Sequence, residues 1–302
     1  MATLDRLVPG EYALEVRLGN AQPHYVYPSL TAGQHVTMEA RFGEPPEGSG
    51  AALLDAWQRQ RFLFEPQSPE PVVPYREPGD RNLEARNALL ADITRRQRRE
   101  LAEELVYRIG MLAPDGRGAS RLVLYAGVAR HLALDDALDA VRDYLGRVRG
   151  VTTLGTLDQV AQSLVDARGD ELTPFFLRMA EDEKASPVTR IIALVGLGKI
   201  GSERSVAAFQ ALRDARRALP GAPQAQTNYT HGERIAETFA IVFLEEAPKE
   251  WDMSRGVQVS EDYQRGMLNN VDAVSGQGFA TYHFRRFGDE WLLTHIGHTV
   301  MS

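Results

Sequence analysis

The stretch SPVTRIIALVGLGKIGSERSVAAFQALRD at residues 186–214 predicts two short helices joined by a tight turn. Ser186 is a suitable N-cap residue, and Pro187 follows at the first helical position, where its missing N–H group costs nothing. Apolar residues then recur at helical spacing, namely Val188, Ile191, Ile192 and Val195. Gly198 and Gly201 are expected to end this helix.

The second helix of the hairpin begins after Ser202, and its apolar face consists of Val206, Phe209 and Leu212. Together with Arg190, Ala193 and the turn Leu197-Gly198-x-Ile200-Gly201, the stretch resembles a HEAT-like helical repeat of the PBS-lyase type. The resemblance implies a solenoid, in which stacked helix hairpins bury a continuous core. A repeat of this kind is a packing unit and specifies no chemistry.

Weaker helix pairs precede this one at 120–148 and 156–180, with about 30 residues between equivalent apolar positions. Before them, apolar residues on one helical face over 80–111 predict a long helix. We therefore expect a helical repeat domain over residues 80–217.

Strand patterns dominate the first part of the chain. Apolar and more polar residues alternate over 12–16, and the phrases PGEYALEV and TAGQHVTMEA resemble strands of prealbumin-like carbohydrate-binding or PEGA-type β-sandwich modules, over residues 9–42. Residues 1–43 are expected to be β-rich. The proline-rich residues 44–79 are expected to be a linker that wraps along the helical body, because proline clusters forbid long regular elements.

The last part of the chain, residues 228–302, is expected to be an α+β domain that ends in a β-hairpin. The segments FATYHFRRF and WLLTHIGHT flank a predicted three-residue loop, which places Phe287 opposite Trp291 and His283 opposite His295. The N-terminal strands either lie apart from this sheet or join it. The predicted fold class is α+β, with a central α-solenoid of HEAT-like helix hairpins flanked by small β-rich N- and C-terminal segments.

Histidines are the main candidates for chemistry. His283 and His295 are predicted cross-strand neighbours, about 5 Å apart at Cβ, and two imidazoles with a carboxylate can hold zinc or iron. No acidic residue is evident to complete such a set, so the favoured interpretation is that both are surface histidines. His231 precedes an acidic helical turn and is interpreted as the start of a helix. No catalytic or cofactor-binding residue is assigned, and no cofactor is expected.

Composition excludes some classes of function. A net charge of −7 disfavours binding to nucleic acid or to an anionic membrane, and the absence of cysteine excludes disulfides and thiolate zinc sites. No window approaches the roughly 18 apolar residues of a membrane span. The first residues lack the apolar core of a secretory leader, which predicts a cytoplasmic protein, or a periplasmic or secreted one if a leader has been removed.

These observations favour a non-catalytic protein–protein interaction or scaffold protein. Its protein partner is expected along the helical face between Leu122 and Phe209, since solenoids leave one face uncovered by neighbouring repeats. The alternative is a small-ligand-binding protein or metal-dependent enzyme with its site in the C-terminal sheet, where His283, His295 and His231 lie at the mouth. The sequence leaves the partner's identity and the oligomeric state open.

Overall fold

The computed structural model describes residues 10–16, 24–26, 29–30, 43–66, 82–113, 118–148, 154–219, 230–242, 256–271 and 279–299. The fold is α+β, as predicted: most described residues are helical, and a four-stranded antiparallel sheet lies at the C-terminal end. The helices are α1 (Gly50–Gln58), α2 (Leu83–Ala91), α3 (Arg95–Gly110), α4 (Ala119–Leu132), α5 (Asp135–Leu145), α6 (Leu154–Arg168), α7 (Thr173–Glu181), α8 (Pro187–Ile200), α9 (Glu203–Arg217) and α10 (His231–Val242). Short 3-10 helices span Arg61–Leu63 and Gly169–Leu172.

Short antiparallel strand pairs form the N-terminal region. Strand β1 (Gly10–Glu11) pairs with β4 (Ser29–Leu30), and β2 (Leu14–Val16) pairs with β3 (His24–Val26). Within the described ranges these pairs do not join the C-terminal sheet. The predicted strand around TAGQHVTMEA and the part of the predicted linker after residue 66 lie outside the described residues.

The segment expected to be a wrapping linker contributes a helix to the core. Helix α1 begins at its N-cap Ser49, in a stretch without proline between Pro46 and Pro66. Its Trp57 and the following Phe64 are buried and pack as tilted rings 5.3 Å apart. Residues around Phe64 lie so close to α4 that a Cβ on Gly127 would be 2.2 Å from the Phe64 carbonyl oxygen. The aromatic residues therefore pin this segment, as expected, but as a packed helix.

The single long helix predicted over 80–111 is two helices, α2 and α3. Thr94 starts α3 through a capping box: its hydroxyl accepts a hydrogen bond from the Gln97 N–H at 3.2 Å, and the Gln97 side-chain oxygen accepts one from the Thr94 N–H at 3.0 Å. The prediction of one helix was wrong because the apolar periodicity of the sequence continues across Asp92 and Ile93, where the helix breaks.

Replacing Thr94 with alanine is expected to lower the free energy of unfolding by about 1 kcal/mol, because the first turn of α3 loses its side-chain cap. Urea denaturation monitored by circular dichroism measures the change. Thr94→Ser keeps the hydroxyl and should lie close to the wild type. An alanine variant as stable as the serine variant would mean that the cap does not determine where α3 begins.

The central helices form two layers. Helices α4, α6 and α8 pack side by side, and α5, α7 and α9 lie against them on one side, with α3 beside α5. Helix α8 begins at its N-cap Ser186 and ends at Gly201, whose φ of 61° is left-handed, so both predicted limits are confirmed. Gly198 was expected to mark the end of α8 but lies inside it. Leu122 and Phe209, the limits of the expected partner surface, are both buried.

The C-terminal sheet covers the other side of the inner layer. Its strands are β5 (Val257–Val259), β6 (Arg265–Val271), β7 (Phe279–Phe287) and β8 (Glu290–Thr299), in the order β5-β6-β7-β8. The edge strand β8 packs on α6 and α8, while α10 packs on the opposite face, where Phe239 meets Tyr282 with ring centroids 4.8 Å apart. Strand β8 therefore occupies a helical face that a solenoid would leave uncovered.

A β-bulge sets the register of the terminal hairpin. Phe287 pairs with Glu290, which leaves a two-residue loop in which Gly288 has a φ of 59°. Thr294 is the extra residue, because Phe284 pairs with Leu293 and His283 with His295. The predicted pairing of His283 with His295 is confirmed, whereas that of Phe287 with Trp291 is wrong. The sequence pattern does not reveal the bulge, which compensates for the shorter loop.

Candidate functional site

A buried carboxylate joins the helices to the sheet. Asp158 of α6 is 0% exposed, and it accepts hydrogen bonds from three groups on other elements. The Lys199 ammonium of α8 lies 3.1 Å from Oδ1 and 3.2 Å from Oδ2, and the Ile296 N–H of β8 lies 3.2 Å from Oδ1. The His295 Nδ1 donates to Oδ2 in a short contact. Three elements therefore converge on one anionic group.

Two features of the sequence around Lys199 bring these elements together. A Cβ on the preceding Gly198 would lie 2.1 Å from the Leu293 carbonyl oxygen, so only glycine permits β8 to approach α8 this closely. Lys199 itself is enclosed, with 2% of its side chain exposed, and its ammonium also donates to Gln162 Oε1 at 2.9 Å. Gln162 lies one turn after Asp158 on α6, so both acceptors are on the same helical face.

The polar contacts continue across the helical layer. Gln162 Nε2 donates to Asp166 at 2.7 Å, and Asp166 forms a short ion pair with Arg130 of α4. A continuous chain of polar side chains thus runs from Arg130 in α4, through α6, where Asp166 is 37% exposed, and α8 to His295 in β8. It ends beside His283, whose ring centroid is 5.3 Å from that of His295.

The charges in this cluster are balanced. Burial raises the pKa of the Asp158 carboxyl, but the positive charge of Lys199 and the hydrogen bond from His295 overcome this effect and hold the pKa below its usual range. Burial, aided by the neighbouring His295, lowers the pKa of His283 to about 4. The His283 imidazole is therefore neutral at physiological pH, beside an Asp158 carboxylate paired with the Lys199 ammonium.

The histidines singled out from the sequence lie at two separate places. His283 and His295 come together as expected, but both are largely enclosed instead of lying on the surface: only 16% of the His295 side chain is exposed. His231 starts α10, as predicted, and packs on Tyr263 and Trp291. Trp291 lies on the face of the sheet opposite that of His283 and His295, so the structure does not bring His231 to this pair.

Asp158 and Lys199 were not among the residues predicted from the sequence. Asp158 is 41 residues from Lys199 and 138 residues from Ile296 in the sequence, and no local pattern connects such positions. One signal was present: Lys199 is one of three lysines in an arginine-rich chain, and it stands between apolar residues in the turn Leu197-Gly198-Lys199-Ile200. A lysine in that position needs a buried counter-charge.

Within the part of the chain that the structure describes, no three or more His, Cys, Asp or Glu side chains are grouped so that they could hold a metal ion. Of the helices in the described ranges, none has the length and apolar character needed to cross a membrane. No protein-family model, no curated protein and no solved structure matches the chain.

Proposed function

We propose that this chain is a non-catalytic protein-interaction protein built on HEAT-like helix hairpins. The resemblance at residues 186–214 and the two-layered packing of α4 to α9 support this proposal. Because β8 covers α6 and α8, the partner surface lies instead on the outer layer, on the side away from the sheet.

The observation that carries the proposal is a groove between α3, α5 and α7, here called the outer groove. It is a shallow depression, open to solvent, of about 590 Å³, and it is lined by Val106, Ile109, Gly110, Ala140, Asp143, Gly146, Arg147 and Phe175. Val106 is 39% exposed, which is unusual for a large apolar side chain in this fold. Space remains above Gly110, where an added Cβ would meet nothing within 4 Å.

The lining of the outer groove indicates what kind of partner it accepts. Its apolar residues come from three helices, whereas its charges, Asp143 and Arg147, lie one turn apart at the C-terminal end of α5. A partner with a short row of apolar side chains, such as one face of an amphipathic helix, buries its apolar surface against Val106 and Phe175. The Asp143 carboxylate, which also pairs with Arg142, and the Arg147 guanidinium then orient the polar flank of that helix.

Replacing Val106 with glutamate is expected to weaken partner binding at least about tenfold, because it places a charge at an apolar contact. The full-length protein, with a photo-crosslinking residue at position 106, is used to capture the partner from the native source. Binding of the purified partner is then compared between wild type and Val106→Glu by calorimetry.

The matched control is Leu219→Glu, since Leu219 is 50% exposed and lies outside the outer groove. Both variants should keep the wild-type circular dichroism and melting temperature. A partner that binds Val106→Glu and wild type equally would refute the outer groove as its docking surface.

A further inference from the structure

We propose that His283 and His295 together bind one divalent transition-metal ion of the zinc class, with Asp158 as the residue that positions His295. This inference concerns the face of the sheet beside α6 and α8, and it does not depend on the outer groove. The proposal adds a metal-binding site to the protein-interaction role, and the helical repeats alone would not provide such a site.

The two imidazoles are held as a pair by the backbone. His283 and His295 are directly opposite on β7 and β8, next to the bulge, where the Thr294 hydroxyl donates to the His283 carbonyl oxygen at 3.2 Å. Their ring centroids are 5.3 Å apart and their planes are inclined by 53°. Two nitrogens bound to one zinc ion at about 2.0–2.1 Å are about 3–4 Å apart. Rings at this separation can provide such a pair after small side-chain rotations.

The nitrogens available for binding are the two Nε2 atoms. The Nδ1 of His295 is engaged by Asp158, and the Nδ1 of His283 is enclosed without a hydrogen-bond partner. Neither Nε2 makes a hydrogen bond to a residue that the structure describes, and neither is among the enclosed atoms of that kind. In the tautomer that Asp158 fixes for His295, the lone pair is on its Nε2, and the Nε2 of His283 carries a lone pair when the proton of that ring is on Nδ1.

Metal-binding histidines usually donate a hydrogen bond from their second ring nitrogen to a carboxylate or carbonyl group, and Asp158 accepts this bond from His295. A carboxylate that accepts a hydrogen bond from one imidazole nitrogen fixes the ring and makes the other nitrogen a better ligand. Asp158 is itself held by Lys199 and by the Ile296 N–H, so the carboxylate cannot rotate away. The Lys199 ammonium is paired with the Asp158 carboxylate, so its positive charge is compensated beside the site.

Two protein ligands leave further coordination positions of the ion to water or to a group from another molecule. The expected affinity is therefore micromolar, well below that of a structural zinc site with four protein ligands. Imidazole ligands also suit Cu²⁺ and Ni²⁺, and the usual order of affinities predicts that Cu²⁺ binds more tightly than Zn²⁺.

The test uses full-length protein without a histidine tag, stripped with a chelator and titrated with zinc chloride by calorimetry near neutral pH. One ion per chain is expected to bind. His283→Gln and His295→Gln should each weaken zinc binding at least about tenfold, and Asp158→Asn about 10- to 100-fold. His231→Gln is the matched control and should bind zinc like the wild type, because His231 lies on the opposite face of the sheet.

Electron paramagnetic resonance of the Cu²⁺-loaded wild type provides a readout that needs no variant to fold. Coupling to two imidazole nitrogens is expected. Saturable zinc binding that is at least about tenfold weaker in both glutamine variants, with two nitrogens coupled to Cu²⁺ in the wild type, would support the site. The absence of saturable zinc binding, coupling to fewer than two nitrogens, or affinity unchanged in His283→Gln and His295→Gln would refute it, whatever the outer groove binds.

Discussion

Replacing Asp158 with alanine is expected to lower the free energy of unfolding by about 3–5 kcal/mol. The change leaves the Lys199 ammonium enclosed without a counter-charge, and the His295 Nδ1 and Ile296 N–H lose their acceptor. Breaking a buried pair from one side costs far more than the intact pair contributes, because the remaining charge cannot reach water. Urea denaturation of the full-length protein measures the loss.

Asp166→Ala is the control for this prediction. Asp166 belongs to the same chain of polar contacts, but it is 37% exposed, so its ion pair with Arg130 should contribute less than about 1 kcal/mol. The double variant Asp158→Leu with Lys199→Met should recover much of the stability lost in Asp158→Ala, since both charges are then removed. A double variant no more stable than Asp158→Ala would show that the unpaired lysine is not the cause.

Replacing Gly198 with alanine is expected to destabilise the protein by about 2 kcal/mol. The new methyl group would lie 2.1 Å from the Leu293 carbonyl oxygen and 2.9 Å from its carbonyl carbon. Neither atom can move without shifting β8, so overpacking costs about 3 kcal/mol. The higher helix propensity of alanine offsets about 1 kcal/mol of this loss.

Gly110→Ala in α3 is the matched control, because it makes the same substitution at a helical glycine that no other segment approaches. An added Cβ at this position meets nothing within 4 Å, so this variant should be as stable as the wild type or more stable, by up to about 1 kcal/mol. Opposite signs for the two variants in urea denaturation are the expected result. Equal effects would indicate that the contact between Gly198 and β8 does not restrict the packing of the sheet.

Local signals in the sequence predicted local structure well. Ser186 and Gly201 limit α8 as expected, because N-caps and left-handed glycines act within one turn of the chain. The pairing of His283 with His295 was also predictable from the alternation of side chains along the hairpin. The break at Thr94 was missed because apolar periodicity outweighed a capping signal that spans only four residues.

The site depends on contacts between distant segments, which local patterns do not encode. Asp158 and Ile296 are 138 residues apart, and the bulge at Thr294 leaves no signal in the alternation of side chains along the strand. Gly198 was interpreted as the end of a helix because glycine often has that role. In the structure, Gly198 permits β8 to approach α8, and this role depends on a contact between segments that are far apart in the sequence.

The position of β8 also determines where this sheet is open to strand pairing with another chain. An edge strand normally presents unpaired N–H and C=O groups, which invite β-sheet extension and aggregation. In β8, the Ile296 N–H is satisfied by Asp158, and the Leu293 carbonyl lies against the Gly198 backbone of α8. The junction between helices and sheet therefore also protects this edge, and among the described residues the edge left for intermolecular strand addition is that of β5.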